Sequence, residues 1–520
     1  MAASALVAAC FAAPFGYLLL RAAGLGEVFW QRLADAGALA PLLRTLLLGA
    51  TVSTATAALG LACAWLVART DLPGRGAWAV LLALPLVLPS YIGAFTLRAA
   101  FAPGGLLDEV LAPVVSVSLP VEGFWAAFGV LTLLTFPYVY LPTAARLRQV
   151  PAALEESARL LGRGPWATFR TVVLPQCRGA VLAGALLVFL YTISDFGAVQ
   201  LLRYDTLTRV IFASVLDQAG AVTFSLQLGV LALAVVAAER LVTAADRGAA
   251  RPLARGARPL RVRLGRWRSP SVAFVGGVVA ACLLAPVTVL AYWAARGIAS
   301  SGPASSLGAA PVPLLGSLVN TAGAGLAAAV AAVLVVLPVA YLTVRHRGRV
   351  AGAANAVVVG GFALPGLVIA LTLVVVTLRG PLLLASAYQT LPLLVFAYVV
   401  HFGAQSLRAA QVGVAAIPPR VDDAARLLGA GRLRRLLVVD LPLLAPALLA
   451  GAGLVLLSTM KELPATLLLA PAGFSTLATD IWNLTEEAFW ADASLAALLL
   501  VALSGVLTWA LVLRRADALA

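Results

Sequence analysis

Stretches of about 20 mostly apolar residues, the length needed to cross the hydrocarbon core of a bilayer, recur from one end of this chain to the other. Backbone polar groups in lipid must find partners within their own segment, so such stretches fold as helices. The expected spans lie near 4–20, 43–68, 77–100, 124–143, 178–202 and 224–245, then near 271–295, 316–344, 350–378, 390–408, 446–470 and 491–513. The chain is therefore expected to be an all-α membrane protein of about twelve transmembrane helices. Its composition, 62% apolar and 11% charged with a mean hydropathy of +1.00, exceeds what a single water-soluble core can hide. The stretch Ala5–Leu20 lacks a basic leading segment and reads as the first span, not as a removed signal.

The net charge of +15 would sit on a polar face with interleaved aromatics in a nucleic-acid binder. Here the arginines occupy short loops between apolar runs, where a basic excess reports topology, so no nucleic-acid partner is expected. Arg69 and Arg75, the segment 146–178, the segment 247–268, Arg345 to Arg349, the segment 408–435, and Arg514 and Arg515 fall on one side. That side is expected to be cytoplasmic, with both termini. Glu27, Asp35, Asp108, Glu122, Asp217, Glu486 and Glu487 fall on the other.

An internal repeat organises the chain, and repeats of this kind set an architecture before any local reading does. Residues 151–175 read PAALEESARLLGRGPWATFRTVVLP and residues 418–442 read PPRVDDAARLLGAGRLRRLLVVDLP. Pro151 and Pro418 stand 267 residues apart, as do Gly162 and Gly429, and Pro175 and Pro442. The register persists into TISDFGAVQLL (192–202) and TMKELPATLLL (459–469). Two six-helix halves in the same orientation, 1–245 and 271–520, are expected to form a pseudo-twofold pair. Between them residues 246–270 hold eight arginines with prolines and glycines; this linker is expected to be a cytoplasmic tether without a packed core.

Each loop carries the pattern Glu-Ala-Ala, three residues, Gly, nine residues, an aliphatic residue, one residue, Leu-Pro. The matches are Glu156, Ala158, Gly162 and Leu174-Pro175 in the first half, and Asp423, Ala424, Ala425, Gly429 and Leu441-Pro442 in the second. Ser157 departs from the first alanine and Asp423 from glutamate. Acidic residues early in a short amphipathic helix suit its dipole, and Gly162 and Gly429 suit a left-handed cap. Such a helix presents Leu160-Leu161 or Leu427-Leu428 as a docking surface for another protein.

This pattern resembles the EAA loop of the membrane subunits of binding-protein-dependent ABC importers. The resemblance implies the type I ABC importer permease fold, two copies of an ATPase docked on the loops, and a periplasmic binding protein that delivers substrate across the bacterial inner membrane. Glu156, Ala158, Leu160, Leu161, Gly162 and Pro175, and Asp423, Ala425, Leu427, Leu428, Gly429 and Pro442, are then the ATPase-coupling residues. The chain holds no P-loop, because the motif needs Gly-Lys-Ser/Thr and the one lysine, Lys461, lies between Met460 and Glu462. No catalytic residues and no bound cofactor are expected on it; ATP and magnesium belong to the partner subunits.

Charges within a span are costly and raise a functional expectation. Ser194-Asp195 and Lys461-Glu462 occupy equivalent places about 20 residues beyond each Leu-Pro, in the outer half of the membrane by helical rise. They are expected on a substrate path, where hard carboxylate oxygens suit a hard cation; the alternative is a structural pair of Lys461 with Asp195 or Glu462. KELPATLLLAP, FSTLATDIW, SDFGAVQLL and DTLTRVIF are similar to the corresponding stretches of fused ferric-iron permeases, which implies ferric iron as cargo. Permeases for thiamine, polyamines or phosphonate remain alternatives, as does an ion-coupled secondary transporter. The dispersed cysteines Cys10, Cys63, Cys177 and Cys282, and His346 and His401, have no metal-ligand spacing, so no stable metal site is expected.

Overall fold

The computed structural model describes residues 2–111, 121–214, 217–249, 260–299, 311–346, 348–379, 382–429 and 431–511. Every named element among them is helical. The chain opens with α1 (Ala2–Leu25), passes a short helix Glu27–Ala34, and enters α2 (Ala36–Arg69). Helical turns Arg75–Leu81 and Leu84–Val87 precede α3 (Ser90–Phe101). Phe124–Thr135 leads into α4 (Pro137–Gln149), then come α5 (Ala152–Leu160), α6 (Leu174–Ser194), α7 (Gly197–Leu201) and α8 (Leu207–Ala213).

After the helix Gln218–Ala249, the second repeat supplies α9 (Arg268–Val279), α10 (Pro311–Arg345), α11 (Arg349–Ala363), α12 (Gly366–Arg379) and α13 (Leu391–Ala416). It ends with α14 (Pro419–Leu427), α15 (Leu441–Met460), α16 (Pro464–Leu469), α17 (Leu477–Glu486) and α18 (Trp490–Leu511).

Ten helices among the described residues are long and apolar enough to cross a membrane, and two bent pairs raise the number to twelve if each pair is one span. The bent pairs fall on the spans expected near 77–100 and 350–378: Arg75–Val87 turns by 91° into Ser90–Val110, and Arg349–Ala363 by 102° into Gly366–Arg379. Both breaks sit at a Leu-Pro step, Leu88-Pro89 and Leu364-Pro365. A proline crowds the residue before it out of the helical region, and the two leucines are extended, with ψ of 118° and 129°. The spans expected over 178–202 and 446–470 are also interrupted. α6 stops at Ser194 and α15 at Met460, and a separate short helix, α7 or α16, follows each.

Two compact units are present: one of Met1–Arg32, Ser214–Gly229 and Gly297–Ala520, the other of Leu33–Ala213 and Val230–Arg296. In the first, α1 packs on α10, α11 and α12. The Phe11 ring, 2% exposed, lies against Gly361 and Gly403, whose missing side chains leave room for it. In the second, Val275, Val278, Val279 and Cys282 join a core with Cys63, Leu66, Phe136 and Tyr140. The opening helix of each repeat is thus packed in the unit built mainly from the other. The division expected at 246–270 and the packing division are different partitions of the same chain.

The end of the linker departs from the expected free tether. Val262 N–H donates to Arg69 O at 2.8 Å, Leu264 N–H donates to the Asp71 carboxylate at 2.8 Å, and Leu264 is buried. Two backbone groups with matching partners at the end of α2 suffice to hold this short extended piece.

Candidate functional site

Each repeat carries the same pair of features, a short helix with an exposed apolar end and a carboxylate within the helix-break region. The short helices are α5 and α14, where the sequence places the two loops. Each begins after a proline in extended conformation, Pro151 or Pro418. Each ends at a left-handed glycine, with φ of +78° at Gly162 and +76° at Gly429. Gly162 N–H donates to Arg159 O and Arg163 N–H to Ala158 O, which together close a Schellman cap. Gly429 N–H donates in the same way to Arg426 O.

The expected coupling residues divide by helix face. Ala158 and Ala425 are buried, while Glu156 and Asp423 are exposed. Leu160 and Leu161 are 88% and 81% exposed, and Leu427 and Leu428 are 89% and 86% exposed. Both leucines of each pair thus project from the end of the short helix. Pro175 and Pro442 each follow closely on a π-helical stretch, Phe169–Val173 or Leu436–Asp440, within a continuous helix.

What mounts α5 is an ion pair that the motif does not contain. Glu155, adjacent to the motif residue Glu156, turns inward and pairs with Arg69 at the end of α2; both side chains are almost wholly buried. Arg69 also donates to Leu147 O and Val150 O. Breaking a buried pair by removing one partner strands a charge and costs about 3–5 kcal/mol. In the second repeat Arg345, at the end of α10, donates to Ile417 O at 2.9 Å. Val150 and Ile417 each immediately precede the proline that starts the short helix, so an arginine ties both loops at the same place.

The carboxylates follow the long helices. Asp195, 7% exposed, accepts from Ser90 Oγ through Oδ1, and from Ala198 N–H at 3.0 Å and Val199 N–H at 3.4 Å through Oδ2. Ser90 is the first residue of α3, and the two amides belong to the first turn of α7. The charge therefore faces two helix N-termini, whose dipoles and unpaired amides favour an anion. Glu462 takes the corresponding place in the second repeat. Its Oε1 accepts from Ala465 N–H at 3.3 Å, at the start of α16, and the same oxygen fills the notch left by Gly366, the first residue of α12.

Where the first repeat uses a serine and a short carboxylate, the second uses a glycine and a carboxylate one methylene longer. Glu462 is only partly buried, as are Ser194 and Lys461. The two repeats also share a clasp beyond the break. Leu207 N–H donates to Thr45 Oγ1 at 2.8 Å and Leu477 N–H to Thr321 Oγ1 at 2.9 Å. No group of three or more His, Cys, Asp or Glu side chains that could hold a metal ion occurs among the described residues.

Sequence reasoning found the loops and the carboxylates but missed Ser90, Gly366, Arg69, Glu155 and Arg345. A signal for the first two was present, a Leu-Pro followed by a small residue in both repeats.

Comparison with known proteins matches the model of the family "binding-protein-dependent transport system inner membrane component" twice, over residues 56–301 and 323–516. The chain is 28% identical over 505 residues to the Fe(3+)-transport system permease protein FbpB 2 of Haemophilus influenzae, covering 95% of this chain and 94% of that protein. It is 31% identical over 172 residues to the sulfate transport system permease protein CysT of Escherichia coli, 33% of this chain and 61% of that one. To the molybdenum transport system permease protein ModB of Azotobacter vinelandii it is 29% identical over 189 residues, 36% of this chain and 83% of the relative.

Proposed function

Because the chain belongs to the family of inner membrane components of binding-protein-dependent transport systems, and so is a multi-pass permease subunit of an ABC importer and not an enzyme, we propose that its cargo is ferric iron. The reading rests on one observation. Likeness to an Fe(3+) permease runs through both repeats, over 95% of the chain, whereas likeness to the sulfate and molybdenum permeases covers about a third of it.

In this proposal each exposed leucine pair, Leu160-Leu161 and Leu427-Leu428, docks one copy of the ATPase, which uses ATP and magnesium. The side that bears the loops is the cytoplasm and holds both termini. A periplasmic binding protein delivers the ion, and alternating access carries it past Ser194, Asp195, Lys461 and Glu462. The two carboxylates then differ in use. Asp195 spends both oxygens on hydrogen bonds and positions α3 and α7, while Glu462, more open and with one such bond, offers a hard oxygen to a hard cation.

The cargo is tested with the assembled complex and its cognate binding protein loaded in turn with ferric iron, sulfate, molybdate or thiamine. Ferric loading is expected to raise ATP hydrolysis at least fivefold, with the others within about twofold of the unloaded rate. Stimulation by one of the others, with ferric iron inert, would move the cargo to that solute.

A further inference from the structure

Beside the first loop a groove of about 600 Å³ runs between α2 and the segment that links α5 to α6. One wall is a single face of α2: Ala58, Leu61, Ala62, Trp65 and Arg69 recur at helical spacing. From Ala58 to Arg69 that face extends ~16 Å along the helix at 1.5 Å per residue. The other wall is aromatic, with Phe169 set edge-on to Trp65 at 6.2 Å and stacked with Trp166 at 5.6 Å. The groove is therefore apolar along the last turns of a candidate membrane span and closes where that helix ends.

Charge gathers at that end alone. Arg69 is committed to Glu155, and the exposed Arg159, which also lines the groove, has no carboxylate partner among the described residues. Trp166, 72% exposed, also lines the groove, and tryptophans are enriched at membrane interfaces. A long apolar slot along a candidate membrane span that closes on an unneutralised arginine matches an amphiphile with an anionic head. We propose that an anionic phospholipid occupies this groove, its acyl chain along α2 and its phosphate on Arg159.

The second repeat is not built for the same occupant. It has Leu433 and Leu436 where the first has Trp166 and Phe169, 267 residues earlier, so the aromatic wall is replaced. The lipid thus belongs to the first loop alone, and it lies against α5 on the side that carries the Arg69–Glu155 pair.

The inference stands apart from the cargo and from ATP, so its test uses the purified full chain without partners. Native mass spectrometry is run during titration with phosphatidylglycerol, or with phosphatidylcholine of identical acyl chains. The wild-type chain should keep one phosphatidylglycerol under activation that strips phosphatidylcholine. Ala62→Trp, which fills the slot, should lower that retained fraction about tenfold. Arg159→Gln, an exposed change that leaves the fold intact, should abolish the preference between the two lipids. Equal retention of both lipids by the wild-type chain, or unchanged phosphatidylglycerol binding in Ala62→Trp and Arg159→Gln, would overturn the proposal.

Discussion

With Gly162 and Gly429 both replaced by valine, substrate-stimulated ATP hydrolysis by the assembled complex should fall at least tenfold, while the amount of inserted protein stays near the wild-type level. Both glycines lie at φ near +77° with open space around the position of a side chain, so crowding is not the issue. The backbone is. A left-handed residue that is not glycine costs roughly 1–2 kcal/mol, and β-branching makes that conformation an outlier. The chain relieves the strain by abandoning the left-handed cap, which frees the ends of α5 and α14 and turns Leu160-Leu161 and Leu427-Leu428 away from their docking positions. Each single variant should retain part of the stimulation, since one loop still transmits. Alanine at both sites should be milder than valine. Full stimulation in the double valine variant would remove the coupling assignment from these loops.

Gly366→Ser should lower the yield of folded, monodisperse protein about tenfold, and Glu462→Asp in the same chain should restore it. A side chain at Gly366 collides with Glu462 Oε1, which also receives the Ala465 amide. Moving the carboxylate aside gives up a hydrogen bond to a charged group, worth about 1.5–3 kcal/mol. Shortening the acid removes the collision and recreates the Ser90–Asp195 arrangement of the first repeat. Ser90→Gly with Asp195→Glu is the mirror exchange and should likewise fold better than Ser90→Gly alone. Thermal unfolding of the detergent-purified protein reads the effect independently of transport. A harmless Gly366→Ser, or a double variant no better than the single one, would show that the two repeats do not solve the same packing problem.

Much of this was legible in the chain. The loops could be read because capping glycines and exposed leucines are local features, fixed by residues within one helical turn. The twelve apolar runs could be read for the same reason. The breaks at Leu88-Pro89 and Leu364-Pro365 could not, because a count of apolar residues across the bend is the same whether the helix is straight or turned by 91°. Glu155 was passed over for Glu156 because choosing between neighbours needs the face of α5 that turns inward, and that is set by Arg69 on a distant helix. The packing of α1 against α10, α11 and α12 was hidden for another reason. A helix apolar all round has no stripe that announces its neighbour, and contacts such as Phe11 against Gly361 and Gly403 are selected by shape.

As the membrane subunit of an ABC importer, this chain is expected to move solute only when driven through its loops. This is tested by radiolabelled ferric uptake into proteoliposomes holding either the chain alone or the chain with its ATPase, with loaded binding protein outside and ATP inside. Uptake by the full complex should stop when ATP is withheld, and the chain alone should show none under a proton or sodium gradient. Gradient-driven uptake by the chain alone would contradict this expectation.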